Sequence, residues 1–143
     1  KQLEGDDSLD LPVLMGLEPP SAEGRAQRQQ NEQIIREAIG LTIDMAAQSS
    51  SLGRLQELSY HSTLGWSMVT LGAWRTDEAM TIHLGREPLR RLSVAREVVK
   101  KLKRRTRVPK VIWVDGTKNP DRVHVRFADA RREQSETYFA TAR

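Results

Sequence analysis

The chain has 143 residues, a net charge of +4, 38% hydrophobic residues and no cysteine. This length fits one domain, and the absence of cysteine excludes disulfides, zinc–thiolate sites and thiol catalysis. We therefore expect an intracellular, reducing compartment, either the cytoplasm with its nucleoid or the nucleus. No apolar run approaches the roughly 20 residues of a membrane-spanning helix, so no membrane partner is expected. Because the chain begins with Lys1, we expect it to be part of a larger protein.

Residues 1–24 differ in composition from the rest of the chain. They contain six acidic residues, one lysine and three prolines, which predicts a flexible arm or linker ahead of a single α+β domain at 25–143. Residues 9–17 form a short apolar patch inside this arm. Three uses of the patch stay open: a strap across the domain's own surface, a docking motif for a partner protein, or a swapped arm in an oligomer.

Residues 25–48 are predicted to form the first long helix. The apolar side chains cover more than half of the helical circumference, which is wider than the stripe of an ordinary surface helix. They are Ile34, Ile35, Ala38, Ile39, Leu41, Ile43, Met45 and Ala46. We therefore expect coverage from two directions, by the sheet and by either another helix or a second copy of the chain in a homodimer. Gly40 weakens the middle of the helix and is predicted to mark a close approach.

Residues 52–60 are predicted to form a short second helix with Leu55 and Leu58 as its anchors. Two runs rich in β-forming residues follow, at 65–74 and 78–84, separated by the polar residues 75–77. This arrangement predicts a β-hairpin. Trp66 and Trp74 bracket its first strand, and we assign both to the core or to a subunit contact.

Residues 86–110 contain the most basic part of the chain. Eleven basic residues stand against two acids, so the segment carries +9 and the remainder carries −5. Pro88 suits the first turn of a helix, and Pro109 predicts the end of that helix near Val108. Spacings of three and four place one apolar stripe on it. Its members are Leu89, Leu92, Ala95, Val99 and Leu102.

The cations of this predicted helix fall mainly on the side opposite the apolar stripe, with Arg96, Lys103 and Arg105 on its flanks. A basic face of this kind predicts binding of a polyanion, either DNA or RNA, through phosphate contacts. The candidate nucleic-acid-binding residues are Arg90, Lys100, Lys101, Lys103, Arg104, Arg105, Arg107, Lys110 and Arg126. Two alternatives remain: a solvated face whose cations serve solubility and the helix dipole, or a nuclear-localisation signal.

Residues 110–127 predict a second hairpin with its turn at 116–121. If Asp115 lies opposite Arg122, one side of the hairpin is apolar and the other carries Trp113, Arg122, His124 and Arg126. An aromatic ring beside cations is typical of sheets that hold single-stranded nucleic acid. The alternative, which we favour at this point, is that a helix covers Trp113 and makes it core. From residue 128 onward a last helix is expected, docked through Tyr138 and Phe139.

Catalytic chemistry has weak support in the sequence. His61, His83 and His124 are the only histidines, and neither a metal-ligand spacing nor a phosphoesterase pattern surrounds them. A nuclease based on Asp77, Glu78 and Asp115 near Lys118 is the least favoured function. We therefore expect a non-enzymatic binding module without metal or cofactor. The expected fold is α+β, with a mainly antiparallel four-stranded sheet of two hairpins and the helices packed on one face.

Overall fold

The computed structural model describes residues 12–17, 24–47, 51–74, 79–105, 108–115, 122–127 and 135–139. These residues form an α+β fold with two helices and one seven-stranded mixed sheet. In chain order the elements are β1 (Val13–Met15), α1 (Arg25–Ala47), β2 (Arg54–His61), β3 (Gly65–Leu71), β4 (Ala79–Gly85), α2 (Pro88–Arg104), β5 (Pro109–Asp115), β6 (Arg122–Phe127) and β7 (Ser135–Phe139).

The strands lie side by side in the order in which they occur in the chain. The pairs β1–β2 and β4–β5 are parallel, and each is joined by a helical crossover, as parallel neighbours require. The remaining neighbours are antiparallel. The chain therefore runs twice through one helix followed by three antiparallel strands, first α1–β2–β3–β4 and then α2–β5–β6–β7.

The α+β class is confirmed, but the predicted four-stranded antiparallel sheet is too small. β1, β2 and β7 extend the two predicted hairpins to seven strands, and two of the six strand pairings are parallel. β1 also brings Val13–Met15 of the predicted arm into the sheet. The proposed division of the chain at residue 24 otherwise stays a prediction.

The prediction of a helix at residues 52–60 is wrong, because β2 occupies Arg54–His61. A β-bulge between Leu55 and Glu57 explains the error. The extra residue lets Leu55 and Leu58 face the same side of the sheet although they are three positions apart, a spacing that imitates a helix. Leu58 is buried opposite Met68, and Leu55 packs against the same core.

The prediction of a helix that docks Tyr138 and Phe139 is also wrong for the residues described there. Ser135–Phe139 form β7, which pairs antiparallel with β6, while residues 128–134 lie outside the described part. Tyr138 is the register partner of Val123, and its ring meets Phe127 edge to face at 6.4 Å. In this segment Glu136 and Tyr138 alternate with Thr137 and Phe139, a pattern that suits a strand as well as the end of a helix. Because the edge of β6 is available for pairing, the segment forms a strand.

Both helices pack on one face of the sheet and share a single core with it. Alternate residues of β3, β4, β5 and β6 point into this core, as period-two strands require. Trp66 is fully buried there, and its indole N–H donates to Glu37 of α1 at 2.6 Å. Trp74 packs against the same core from its edge. Both tryptophans therefore contribute to the core.

The outer face of α1 is not covered by any residue that the structure describes. Ile35, Ile39 and Ile43 remain 40%, 54% and 62% exposed, while Ile34, Ala38, Leu41 and Met45 are buried. The predicted coverage of this helix from two directions is therefore present on one side only within the described chain. Neither described helix has the length and hydropathy that a membrane-spanning segment requires.

Candidate nucleic-acid interface

α2 forms where the sequence predicts it and is held firmly by its inner face. It begins at Pro88 and ends at Arg104. The backbone N–H of Arg105, the C-cap residue, donates to the carbonyl oxygens of Leu102 and Lys103. Its side chains at Leu92, Ala95, Val98, Val99 and Leu102 are fully buried. Its last residue, Arg104, lies four residues before Val108, where Pro109 predicts the end of the helix. Three cations in its last turn interact favourably with the helix dipole.

Two predictions about the faces of α2 are corrected by the structure. Leu89, expected among the buried leucines, is 51% exposed because it lies on the edge of the helix beside Gly40 of α1. Arg96, expected on an exposed flank, is only 7% exposed. Its guanidinium lies 2.7 Å from a carboxylate oxygen of Asp44 and donates to the Asp44 carbonyl oxygen at 3.2 Å. Arg96 therefore joins the two helices and does not face solvent.

Four of the predicted phosphate-binding cations are exposed at α2 and its C-cap: Arg90, Lys100, Arg104 and Arg105. Arg90 lies 3.8 Å from Glu87, and Lys100 lies 3.4 Å from Glu97. Exposed pairs of this kind contribute at most about 1 kcal/mol each, so a phosphate can compete for either cation. This group, together with Lys101, is the α2 basic face.

Lys101 and Lys103 have structural contacts as well as charge. The Lys101 ammonium donates to the backbone carbonyl of Phe139 at 2.7 Å and so connects α2 with β7. The Lys103 ammonium lies over the Trp74 ring, 5.4 Å from its centroid, and burial lowers the pKa of Lys103. Both side chains are half-buried. Lys103 is therefore a weaker phosphate ligand than its position in the sequence suggests.

The remaining three predicted ligands do not extend the α2 basic face in the structure. Lys110 is exposed at the start of β5, beside the bulge that separates Pro109 from Val111. Arg126 lies on β6, on the face of the sheet opposite the helices. Arg107 lies outside the described residues. The candidate set therefore divides between two surfaces, the α2 basic face and the helix-free face of the sheet.

The second hairpin has the predicted register. Asp115 pairs with Arg122, Trp113 with His124, and Val111 with Arg126. Trp113 consequently lies on the helix-free face, where it is half-buried, and the preferred assignment of this residue to the core is wrong. The error arose because the number of helices and the face they cover are not visible in the hairpin itself.

Trp113 lies at the centre of a row of polar and aromatic side chains. The His83 ring is stacked with the Trp113 ring, with centroids 5.6 Å apart and planes inclined by 13°. From the neighbouring strand β6, the Arg126 guanidinium lies over the same indole, 5.7 Å from its ring centroid. Hydrogen bonds between hydroxyl oxygens and Nδ1 atoms fix both neighbouring histidines, Ser67 to His83 at 2.9 Å and Thr137 to His124 at 3.1 Å.

Sequence reasoning missed the contact between His83 and Trp113. Their pairing depends on the parallel β4–β5 neighbours, which lie on either side of α2 in the chain. The signal that could have found it is the strand–helix–strand order, since strands joined by a helical crossover are often adjacent and parallel. His83 and His124 do not meet, because β5 separates them.

Metal-dependent chemistry gains no support from the described residues. They contain no group of three or more His, Cys, Asp or Glu side chains that could hold a metal ion. Of the residues considered for a nuclease, Asp77, Glu78 and Lys118 lie outside the described part. The expectation of a non-enzymatic module therefore stays a prediction.

Comparison of the chain with models of protein families, with curated proteins and with solved structures found no match in any of the three. The α2 basic face and the helix-free face of the sheet are therefore the features that bear on its function.

Proposed function

We propose that this chain is a non-enzymatic nucleic-acid-binding module, within a larger intracellular protein, that contacts phosphates through the α2 basic face. The observation that carries the proposal is the exposure of Arg90, Lys100 and Arg104 on a helix whose opposite side is fully buried. A firmly packed helix presents these cations without further folding, which lowers the entropic cost of binding. Glu87 and Glu97 on the same surface reduce its net charge, which favours moderate affinity.

The salt dependence of binding tests the electrostatic part of the proposal. If about four phosphates are neutralised, log K should fall against log salt with a slope of roughly −3 to −4, the lower magnitude applying to single strands. The measurement is a fluorescence-anisotropy titration of labelled oligonucleotides at several salt concentrations. A slope near zero would contradict phosphate binding.

Charge reversal locates the contacts. The double substitution K100E/R104E should weaken binding at least tenfold, because each lost contact is replaced by repulsion of a phosphate. Lys101 is left unchanged, since its ammonium holds the Phe139 carbonyl. The matched control is R25E/R36E, which makes the same change in net charge at exposed positions of α1. Equal losses in both variants would show that only the overall charge matters.

A second candidate function is oligomerisation, which the exposed stripe Ile35, Ile39 and Ile43 favours. These residues are spaced four apart, so they lie on one face of α1. Antiparallel pairing of two copies about Ile39 would place Ile35 of each copy against Ile43 of the other. Such a self-complementary contact is the form that a twofold homodimer takes.

Light scattering across a range of concentrations tests the homodimer. I39E should give a monomer where the unchanged chain is dimeric, because a carboxylate would be buried at the centre of the contact. Q33E places the same charge at an exposed position elsewhere on α1 and serves as the control. A strictly monomeric unchanged chain would remove this candidate.

A docking role for residues 9–17 also stays a proposal. Val13 and Met15 of β1 expose 59% and 45% of their surface, while Leu14 between them packs against the core. The two exposed side chains give the sheet edge an apolar rim that a partner protein can cover. Loss of partner capture in V13S/M15S, with the fold retained, is the expected result.

A further inference from the structure

The helix-free face of the sheet has a different chemical character in the two halves of the fold. In the first half, β3 and β4 present Ser67, Val69, Thr81 and His83 on this face. In the second half, β6 presents Arg122, His124 and Arg126 beside Trp113 of β5. Both halves repeat the same helix and three strands, so the architecture makes the same packing demands on each. The indole of Trp113 and the cations of β6 therefore distinguish the second half of this face from β3 and β4.

The aromatic part of this face is a row of three rings across three adjacent strands. His83, Trp113 and His124 are register partners on β4, β5 and β6. Neighbouring strands lie roughly 4.8 Å apart, so the rings form one continuous strip. The hydroxyl groups of Ser67 and Thr137 fix the two histidines through Nδ1. The strip is thus ordered before any ligand arrives.

The cationic part lies along β6. Arg122 and Arg126 flank His124 at two-residue spacing, which puts both guanidinium groups on the same side as the rings. Arg126 lies over the Trp113 indole at 5.7 Å. A base stacked on an indole contributes more than an exposed cation–π contact does. A base can therefore replace the guanidinium on the ring, and the guanidinium can then meet the adjoining phosphate.

We infer that this surface, centred on Trp113 with His83, His124, Arg122 and Arg126, binds single-stranded nucleic acid by stacking a base on the Trp113 ring. The inference rests on the proposed function and specifies its ligand. Stacking requires an unpaired base whose face is accessible, and a duplex does not offer one along its length. Ring stacking without base-edge contacts gives little sequence preference.

The test compares a labelled oligothymidylate with a blunt duplex of the same length. Trp113→Leu should weaken single-strand binding about tenfold while leaving duplex binding within about twofold. Trp113→Phe keeps a ring and should stay close to the unchanged chain. If W113L binds the single strand as well as the unchanged chain does, the stacking site is wrong. The proposed function would survive that result provided that K100E/R104E still weakens binding.

A second measurement avoids any dependence on how the variants fold. The unchanged chain is irradiated with an oligonucleotide that carries 5-iodouracil, and the cross-linked residue is identified by mass spectrometry. A cross-link to Trp113, His83 or His124 supports the inference. Cross-links confined to α2 would overturn the stacking site and leave the phosphate contacts. Absence of binding to either oligonucleotide would overturn both proposals.

Discussion

The ion pair between Arg96 and Asp44 should be unequally sensitive to loss of its two partners. The Arg96 side chain is 9% exposed and the Asp44 side chain 28%. Removing one member of a buried pair costs about 3–5 kcal/mol, because the other charge is left uncompensated. Asp44→Ala leaves the more deeply buried charge, so we expect about 2–4 kcal/mol of lost stability. Arg96→Met leaves the Asp44 carboxylate, whose Oδ2 atom is buried but whose side chain is partly exposed, so we expect the smaller loss of about 1–2 kcal/mol.

The double variant D44A/R96M separates charge from packing. It contains no uncompensated charge, so it should be more stable than D44A alone. Urea denaturation followed by far-ultraviolet circular dichroism gives the free energy of unfolding of all four proteins. If D44A costs no more than R96M, or if the double variant is less stable than D44A, the pair does not act as a desolvated bridge between the helices.

Two further predictions concern single residues. Gly40→Ala should stabilise the fold by up to about 1 kcal/mol in urea denaturation, because alanine favours the helix interior. Its methyl group would meet Leu89 Cδ1 at 3.7 Å, an ordinary van der Waals distance. Destabilisation would show that α1 needs the glycine. Burial lowers the pKa of His83 in the folded protein from its ordinary value of 6.5. Between the folded and unfolded pKa values the unfolded state therefore binds more protons than the folded state. Stability should consequently fall as the pH decreases below about 6.5. His83→Asn, at the position that contacts Ser67 and Trp113, should reduce this decline. An unchanged decline would contradict the assignment to His83.

The elements that sequence patterns predicted well are those whose pattern is complete within one segment. α2 combines a proline start, a buried stripe and a basic face, and the hairpin of β5 and β6 combines period-two alternation with a single consistent register. Both were predicted with nearly correct bounds or pairing. The two wrong predictions depend on partners outside the segment. The bulge in β2 is visible only in its pairing with β3, and β7 forms a strand because β6 supplies an edge for it.

The candidate site shows the same limit. Composition identified the cations, but it could not separate Arg96, which bridges two helices, from Lys100 and Arg104, which face solvent. Nor could it show that the helices leave the Trp113 and Arg126 side of the second hairpin uncovered. Tertiary contacts decide these assignments, because a cation on the flank of a helix becomes structural when a carboxylate of the neighbouring helix meets it.

The two proposed surfaces lie on opposite sides of the sheet, yet they approach each other at β7. Lys101 of α2 donates to the carbonyl of Phe139, and Phe139 is the register partner of Arg122 on the helix-free face. Because β7 is the last strand of the described sheet, the path from Lys101 of α2 to Arg122 of β6 passes around this edge. A flexible single strand can follow that path, whereas a stiff duplex can contact only one side. The arrangement of the cations thus favours the same ligand as the stacked rings do, on grounds that are independent of Trp113.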